Sequence, residues 1–240
     1  MANTFRNEFY SPIKTLSYLV MAGLGGIGLI AVLYALMSVV MILFPDRTIE
    51  LEHGASVPAG LGIIGIAAFL EIPLRLATIV LFLIWIYRAF GNLSVLKARN
   101  LEFSPGWAVG WWFIPFANLV KPFQVVRELY NESNSDFDEE TGFLNIAPGT
   151  SAIIGSWWAT LLISNIIFRV SDAFIDVKTG LPSTYFPVVF MTGAILHTVA
   201  AVLAVYIVKE VTDRQEQRLK RLESIQQFAP PPPPTFDNAD

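Results

Sequence analysis

Apolar residues run in four long blocks along the chain, and the polar residues between them mark where each block stops. The first block, Leu16–Phe44, ends at Pro45-Asp46-Arg47, and the second, about Leu61–Tyr87, ends at Arg88 and Gly91-Asn92. The third, Ser151–Val170, opens after Pro148-Gly149-Thr150 and is followed by Asp172. The fourth, Phe186–Val208, carries Pro187 in its first turn, where a missing N–H leaves no helical bond unmade. Each meets the roughly 20 residues that a helix needs to cross a hydrocarbon core of ~30 Å. The pattern predicts an all-α membrane protein with four transmembrane helices, forming a single domain over residues 1–228. The first block is too long for the apolar core of a secretory signal, and no small-residue cleavage site follows it, so it reads as a retained helix.

A fifth apolar run, Trp107–Leu119, contains Pro115 and is flanked by Ser104-Pro105-Gly106 and Lys121-Pro122. It is short for a span and suits a helix that is re-entrant or lies in the interface. Trp107, Trp111 and Trp112 fit the headgroup region, where amphipathic rings are favoured. The basic side chains decide the number of crossings. Four crossings put Arg6, Lys14, Arg88, Lys97, Arg99, Lys121, Arg127, Lys209, Arg214, Arg218, Lys220 and Arg221 on one side. The other side keeps Arg47 and Lys178, with Arg169 near its edge. A fifth crossing would send the basic C-terminal segment outside, against the positive-inside rule. Both termini are therefore expected in the cytoplasm.

The loop 91–149 is then cytoplasmic. Within it, Pro122–Ser133 predicts an amphipathic helix with Phe123, Val126, Leu129 and Tyr130 on one side. An acidic, turn-rich stretch, Asn134–Glu140, follows. The fourth helix is expected to extend past the membrane to about Gln227, with i,i+4 pairs Glu210–Arg214 and Glu216–Lys220. Residues 229–240, opening into Pro230–Pro234, read as a disordered proline-rich tail.

Composition narrows the function classes. Only 15% of residues are charged and 54% are hydrophobic, well away from a soluble domain, and mean hydropathy is +0.54. A net charge of −4 gives no basic face for nucleic acid. The chain has no cysteine, which removes disulfides and thiolate metal sites.

The candidate chemistry is sparse. Gly23-Leu24-Gly25-Gly26-Ile27-Gly28 matches a dinucleotide fingerprint, but it sits in a membrane span rather than after a strand. It reads as helix packing through a small-residue stripe, Gly25, Gly28, Ala31, Ala35 and Ser38. Glu71 and Arg75, one turn apart around Pro73, are costly in the bilayer and must be paired or face water. A bridge from Glu71 to Arg75 or to Arg169 fits equally. His197 lies near the middle of the fourth span, and the only other histidine, His53, is in a loop. A neutral histidine hydrogen-bonded between helices is the expectation, not a haem or metal ligand. Ser156, Thr160, Ser164 and Asn165 suggest interhelical hydrogen bonds from the third span. The run Asp136–Glu140 lacks the glycine and helical frame of a calcium loop. No nucleophile–base or phosphate-binding arrangement is present, so neither an enzyme nor a cofactor is expected.

Several stretches together carry a resemblance. These are Phe82-Leu83-Ile84-Trp85-Ile86-Tyr87-Arg88 running to Asn92-Leu93, then Phe103 to Leu119 with its Pro105-Gly106-Trp107 and Trp111-Trp112-Phe113-Ile114-Pro115. Lys121-Pro122-Phe123 on to Tyr130, Gly155-Ser156-Trp157-Trp158-Ala159 and Arg214-Gln215 complete it. The pattern, over about Leu70 to Arg218, resembles the bacterial membrane family called domain of unknown function 4328. The resemblance implies a multi-pass protein of the bacterial plasma (inner) membrane and brings no activity. Tyr87, Arg88, Asn92, Trp107, Trp111, Trp112, Pro115, Asn118, Lys121 and Pro122 form the candidate cytoplasmic-face motif, its polar side chains expected to satisfy backbone groups freed by the prolines.

The leading expectation is a non-enzymatic scaffold that presents its cytoplasmic loop or proline-rich tail to a protein partner or to lipid. The alternative is a small transporter or channel-like subunit using Glu71, Arg75 and His197.

Overall fold

The computed structural model describes residues 10–46, 48–50, 56–96, 98, 101–133, 150–176 and 181–228. The acidic stretch 134–140, His53 and the tail 229–240 lie outside them. Four long helices carry the fold: α1 (Lys14–Leu43), α2 (Ala59–Val95), α5 (Thr150–Asp172) and α6 (Phe186–Phe228). All four are long and apolar enough to cross a membrane. Two short ones, α3 (Pro105–Gly110) and α4 (Lys121–Glu132), stand between α2 and α5. A small antiparallel pair, β1 (Thr48–Glu50) and β2 (Ser56–Pro58), stands between α1 and α2 and has no counterpart in the hydrophobic pattern.

The helices pack in the order α2, α1, α6, α5, each against the next, while α2 and α5 are left without a packed face between them. Glycine sets the closeness on α1. A Cβ on Gly23 would collide with Thr78 of α2, one on Gly26 would crowd Leu74 of α2, and one on Gly28 would stand 3.1 Å from the Ala201 Cβ of α6. The packing role expected of the glycine run holds, but through different members. Gly25, placed in the stripe, faces open space, whereas Gly23 and Gly26 face α2. Ala31 and Ser38 are buried as expected and Ala35 is half-buried.

Large apolar side chains such as Leu29, Ile66, Phe69 and Val202 stand outward, between 63 and 75% exposed. That is the arrangement a bilayer stabilises, since hydrocarbon takes the place water would have. Among the described residues two larger cores fill the inside, with a small third cluster of Tyr10, Leu96 and Leu219. One, around Tyr34, Met41, Ile64, Phe186 and Ala194, lies toward the β1–β2 end. The larger gathers Trp85, Phe90, Leu93, Val125, Leu129, Ile154 and Val208 at the opposite end, where α4, the last turns of α2 and the middle of α6 meet. We call this end the platform.

Helix ends show where tertiary contacts override local signals. Gly91-Asn92 looks like a stop, yet α2 runs on to Val95. Leu93 and Leu96 are fully buried there, and the Asn92 side chain is used across the fold rather than as a cap. By contrast, α3 starts where its sequence says it should. Ser104 accepts the backbone N–H of Trp107 at 3.4 Å, and Pro105 follows as the first helical residue. The extension of α6 to Phe228 matches expectation, and Arg214 reaches Glu210 at 2.9 Å.

Candidate functional site: a polar chain between the spans and a locked platform

Two polar constellations stand out, and they lie at different depths. The first links all four spans. Glu71 is buried on α2, and Arg75, one turn further along, pairs with it through both Nε, at 3.1 Å, and Nη2. The Tyr34 hydroxyl of α1 donates to the other carboxylate oxygen at 2.6 Å. Arg75 Nη2 also lies 3.4 Å from Nε2 of His197 on α6, and His197 Nδ1 lies 3.2 Å from Ser164 Oγ on α5.

These contacts fix the tautomer. Guanidinium nitrogens only donate, so His197 Nε2 must present its lone pair to Arg75. The ring proton then sits on Nδ1 and is donated to Ser164 Oγ. Ser164 uses its own proton on the Leu161 carbonyl at 2.9 Å. The chain Tyr34–Glu71–Arg75–His197–Ser164 is therefore closed at both ends.

Glu71 thus has its partner on its own helix. Arg169 is exposed near the end of α5 and takes no part, which resolves the alternative left open by the sequence. His197 is hydrogen-bonded between helices, as expected, and it stands against Arg75. Of the four polar candidates Ser156, Thr160, Ser164 and Asn165, Ser164 makes the interhelical bond. Thr160 and Asn165 bond carbonyls of their own helix, and Ser156 is exposed. Tyr34 was not anticipated, because a single tyrosine in an apolar span carries no signal until its neighbour is known.

The second constellation locks the platform. Gln215 is fully buried on α6. Its amide nitrogen donates to the Ala89 carbonyl of α2 and to Ser133 Oγ after α4, both at 3.0 Å. Its oxygen accepts from Asn92 Nδ2 at 3.3 Å. Asn92 in turn takes the backbone N–H of Ser11 at 2.8 Å and donates to its carbonyl at 2.9 Å. The two amides, Gln215 and Asn92, together tie four segments with no amide donor left over. Its position was legible in part: Val208, Val211, Gln215 and Leu219 fall on one apolar stripe of α6, and a polar residue in such a stripe needs buried partners.

Arginines of α6 finish the same contact. The last carbonyls of α4 have no partner in their own helix and form its negative end. Arg218 Nη1 donates to the Glu132 carbonyl at 2.7 Å. Arg214 lies over the Tyr130 ring, 4.1 Å from its centroid, and donates to its hydroxyl at 3.2 Å. Burial pushes the Tyr130 phenol up to about 12, with Arg214 opposing. Burial also raises Glu132, reinforced by Glu128 and opposed by Arg218. Glu128 is raised mainly by burial, against the two backbone N–H groups, of Glu102 and Phe103, that its carboxylate accepts.

Between the platform and the gap separating α2 from α5 sits a wedge, residues 105–120. Trp112 packs edge-on against Phe82 of α2 at 5.5 Å and against Trp158 of α5 at 5.9 Å. The Trp158 indole donates to the Leu119 carbonyl at 2.8 Å. The wedge meets its other backbone needs through tight turns, such as Asn118 N–H to Ile114 O at 2.9 Å. This corrects the expectation that polar side chains of the motif would do so. Tyr87, Arg88, Pro115 and Asn118 are exposed. Lys121 lies over Phe103 and Trp111, at 5.2 and 5.5 Å, and near Glu102. Pro122 is buried in α4. Trp107 is exposed, and Phe116 at the tip is 88% exposed with φ 64°, a conformation that costs a non-glycine residue about 1–3 kcal/mol. The predicted α4 face is buried except that Val125 takes the place given to Phe123, which is half-buried. Among the described residues no three histidine or carboxylate side chains gather as metal ligands.

Four apolar spans, an ion pair closed inside them and a folded wedge and platform at one end define a multi-pass helical membrane protein. The chain belongs to the family described as Domain of unknown function (DUF4328), whose model matches residues 53–213. That stretch covers α2 to the first part of α6 and ends just before Gln215. No curated protein and no solved structure is significantly similar to it.

Proposed function

We propose that this chain is a non-enzymatic subunit of the bacterial plasma membrane whose platform faces the cytoplasm and docks a partner protein. The observation that carries the reading is the Gln215 hub. A loop serving only to connect spans has no need of two fully buried amides, Gln215 and Asn92, tying α2, α4, α6 and Ser11 together. The excess of Lys and Arg at the platform end supports the cytoplasmic orientation. The polar chain argues against ion conduction, because it runs from span to span across the bundle and each link is taken by protein.

Photo-crosslinking residues placed at exposed Gln217 and Lys220 test the reading in intact cells. A discrete protein adduct at either position, lost on competition with the purified chain, is the expected result. Adducts to lipid alone at both positions would contradict it. A cation flux into proteoliposomes that disappears with Glu71→Gln would replace it by the transport reading.

A further inference from the structure

Between the polar chain and the wedge lies a cavity of about 360 Å³, reached by all four spans. We infer that it holds one uncharged, chain-like lipid, with a carbonyl or hydroxyl oxygen bound at Arg75 and its hydrocarbon packed down to Trp112. The inference is independent of partner docking at the platform, which is a different part of the molecule.

The opening identifies the source. α2 and α5 are not packed together, and Ile79 and Phe113 on the cavity wall are 48 and 70% exposed. The cavity is therefore entered sideways from the bilayer, not from water. Its wall is apolar apart from a few groups, with Arg75 and His197 toward one end and Trp112 and Asn118 toward the other. Arg75 and Phe82, on which Trp112 packs, are seven residues apart on α2, or ~10 Å along the axis. An apolar cavity of ~150 Å³ holds a benzene ring, so on that scale this volume takes about a dozen chain carbons. It is too small for both chains of a phospholipid.

Charge and hydrogen bonding identify the head. Arg75 is already neutralised by Glu71, so a second carboxylate or phosphate would stand beside a buried anion and be repelled. Arg75 Nη1 makes no bond with a described residue. It can donate to an uncharged oxygen, which an ester carbonyl or a glycerol hydroxyl supplies.

The test uses the full chain in nanodiscs and a monoacylglycerol with a diazirine in its chain, beside the matching fatty acid at a pH where it is ionised. Saturable labelling of peptides around residues 79–83 and 161 is expected, competed by plain monoacylglycerol and about tenfold weaker with the fatty acid. Leu161→Trp and Ile79→Trp add bulk to the cavity and its mouth and should each cut labelling about tenfold at an unchanged unfolding temperature. Ile79 faces the bilayer, so that variant keeps the test valid should Leu161→Trp not fold. Unsaturable labelling, or labelling indifferent to Ile79→Trp, overturns the site. Fatty-acid labelling equal to or above that of the ester overturns the uncharged ligand.

Discussion

Glu71→Gln should destabilise the solubilised protein by about 3 kcal/mol, and Glu71→Gln with Arg75→Leu should recover at least half of that. The single change leaves the guanidinium between spans with no counter-charge, and removing one partner of a buried pair is worth about 3–5 kcal/mol. The lower end applies, because the Arg75 side chain is 39% exposed. Recovery should be incomplete for a reason visible in the geometry. Removing Arg75 also takes the donor from His197 Nε2, which then keeps an unmet lone pair between helices. Tyr34→Phe should cost about 1.5–3 kcal/mol, the range for a hydrogen bond to a charged group. Arg169→Leu should add to Glu71→Gln without coupling, since Arg169 is outside the chain. Thermal unfolding of the single and double variants in one detergent provides the comparison. Strictly additive losses for Glu71 and Arg75 would mean the pair is not a clamp.

Gln215→Leu should loosen the platform as a unit, with a loss of about 2–4 kcal/mol. Leucine fills a similar space but leaves Ser133, Asn92 and the Ala89 carbonyl without their shared partner. Hydrogen exchange should then quicken together in residues 121–133 and 209–228, while amides in the outer halves of α1 and α2 keep their protection. Exchange confined to the turn around Gln215, with α4 unchanged, would show that the hub is incidental.

The four spans were legible because a bilayer demands uninterrupted apolar runs of about 20 residues, and little else in a sequence mimics them. The wedge was legible as something other than a span, since Pro115 and the tryptophans mark an interface. Its true anchor was not, because the Trp158 indole reaches Leu119 only once α5 stands beside it. Gly91-Asn92 misled for the same reason. The local signal for a helix end is real, but Asn92 meets Ser11 and Gln215 from elsewhere in the chain, and those bonds outweigh it. Glu71 shows the converse. Its partner Arg75 is one turn away, a pairing that local spacing offered, while the choice over Arg169 and the more distant links to Tyr34 and His197 needed the fold.

The account rests on four crossings with the platform in the cytoplasm, and cysteine accessibility tests that most directly. The chain has no cysteine, so single cysteines can be placed without background. In intact cells an impermeant thiol reagent should label positions within 48–58 and 174–184. Positions within 94–102, 134–146 and 225–240 should be labelled only after the membrane is opened. Labelling of 225–240 from outside would contradict the four-crossing topology and, with it, the cytoplasmic platform.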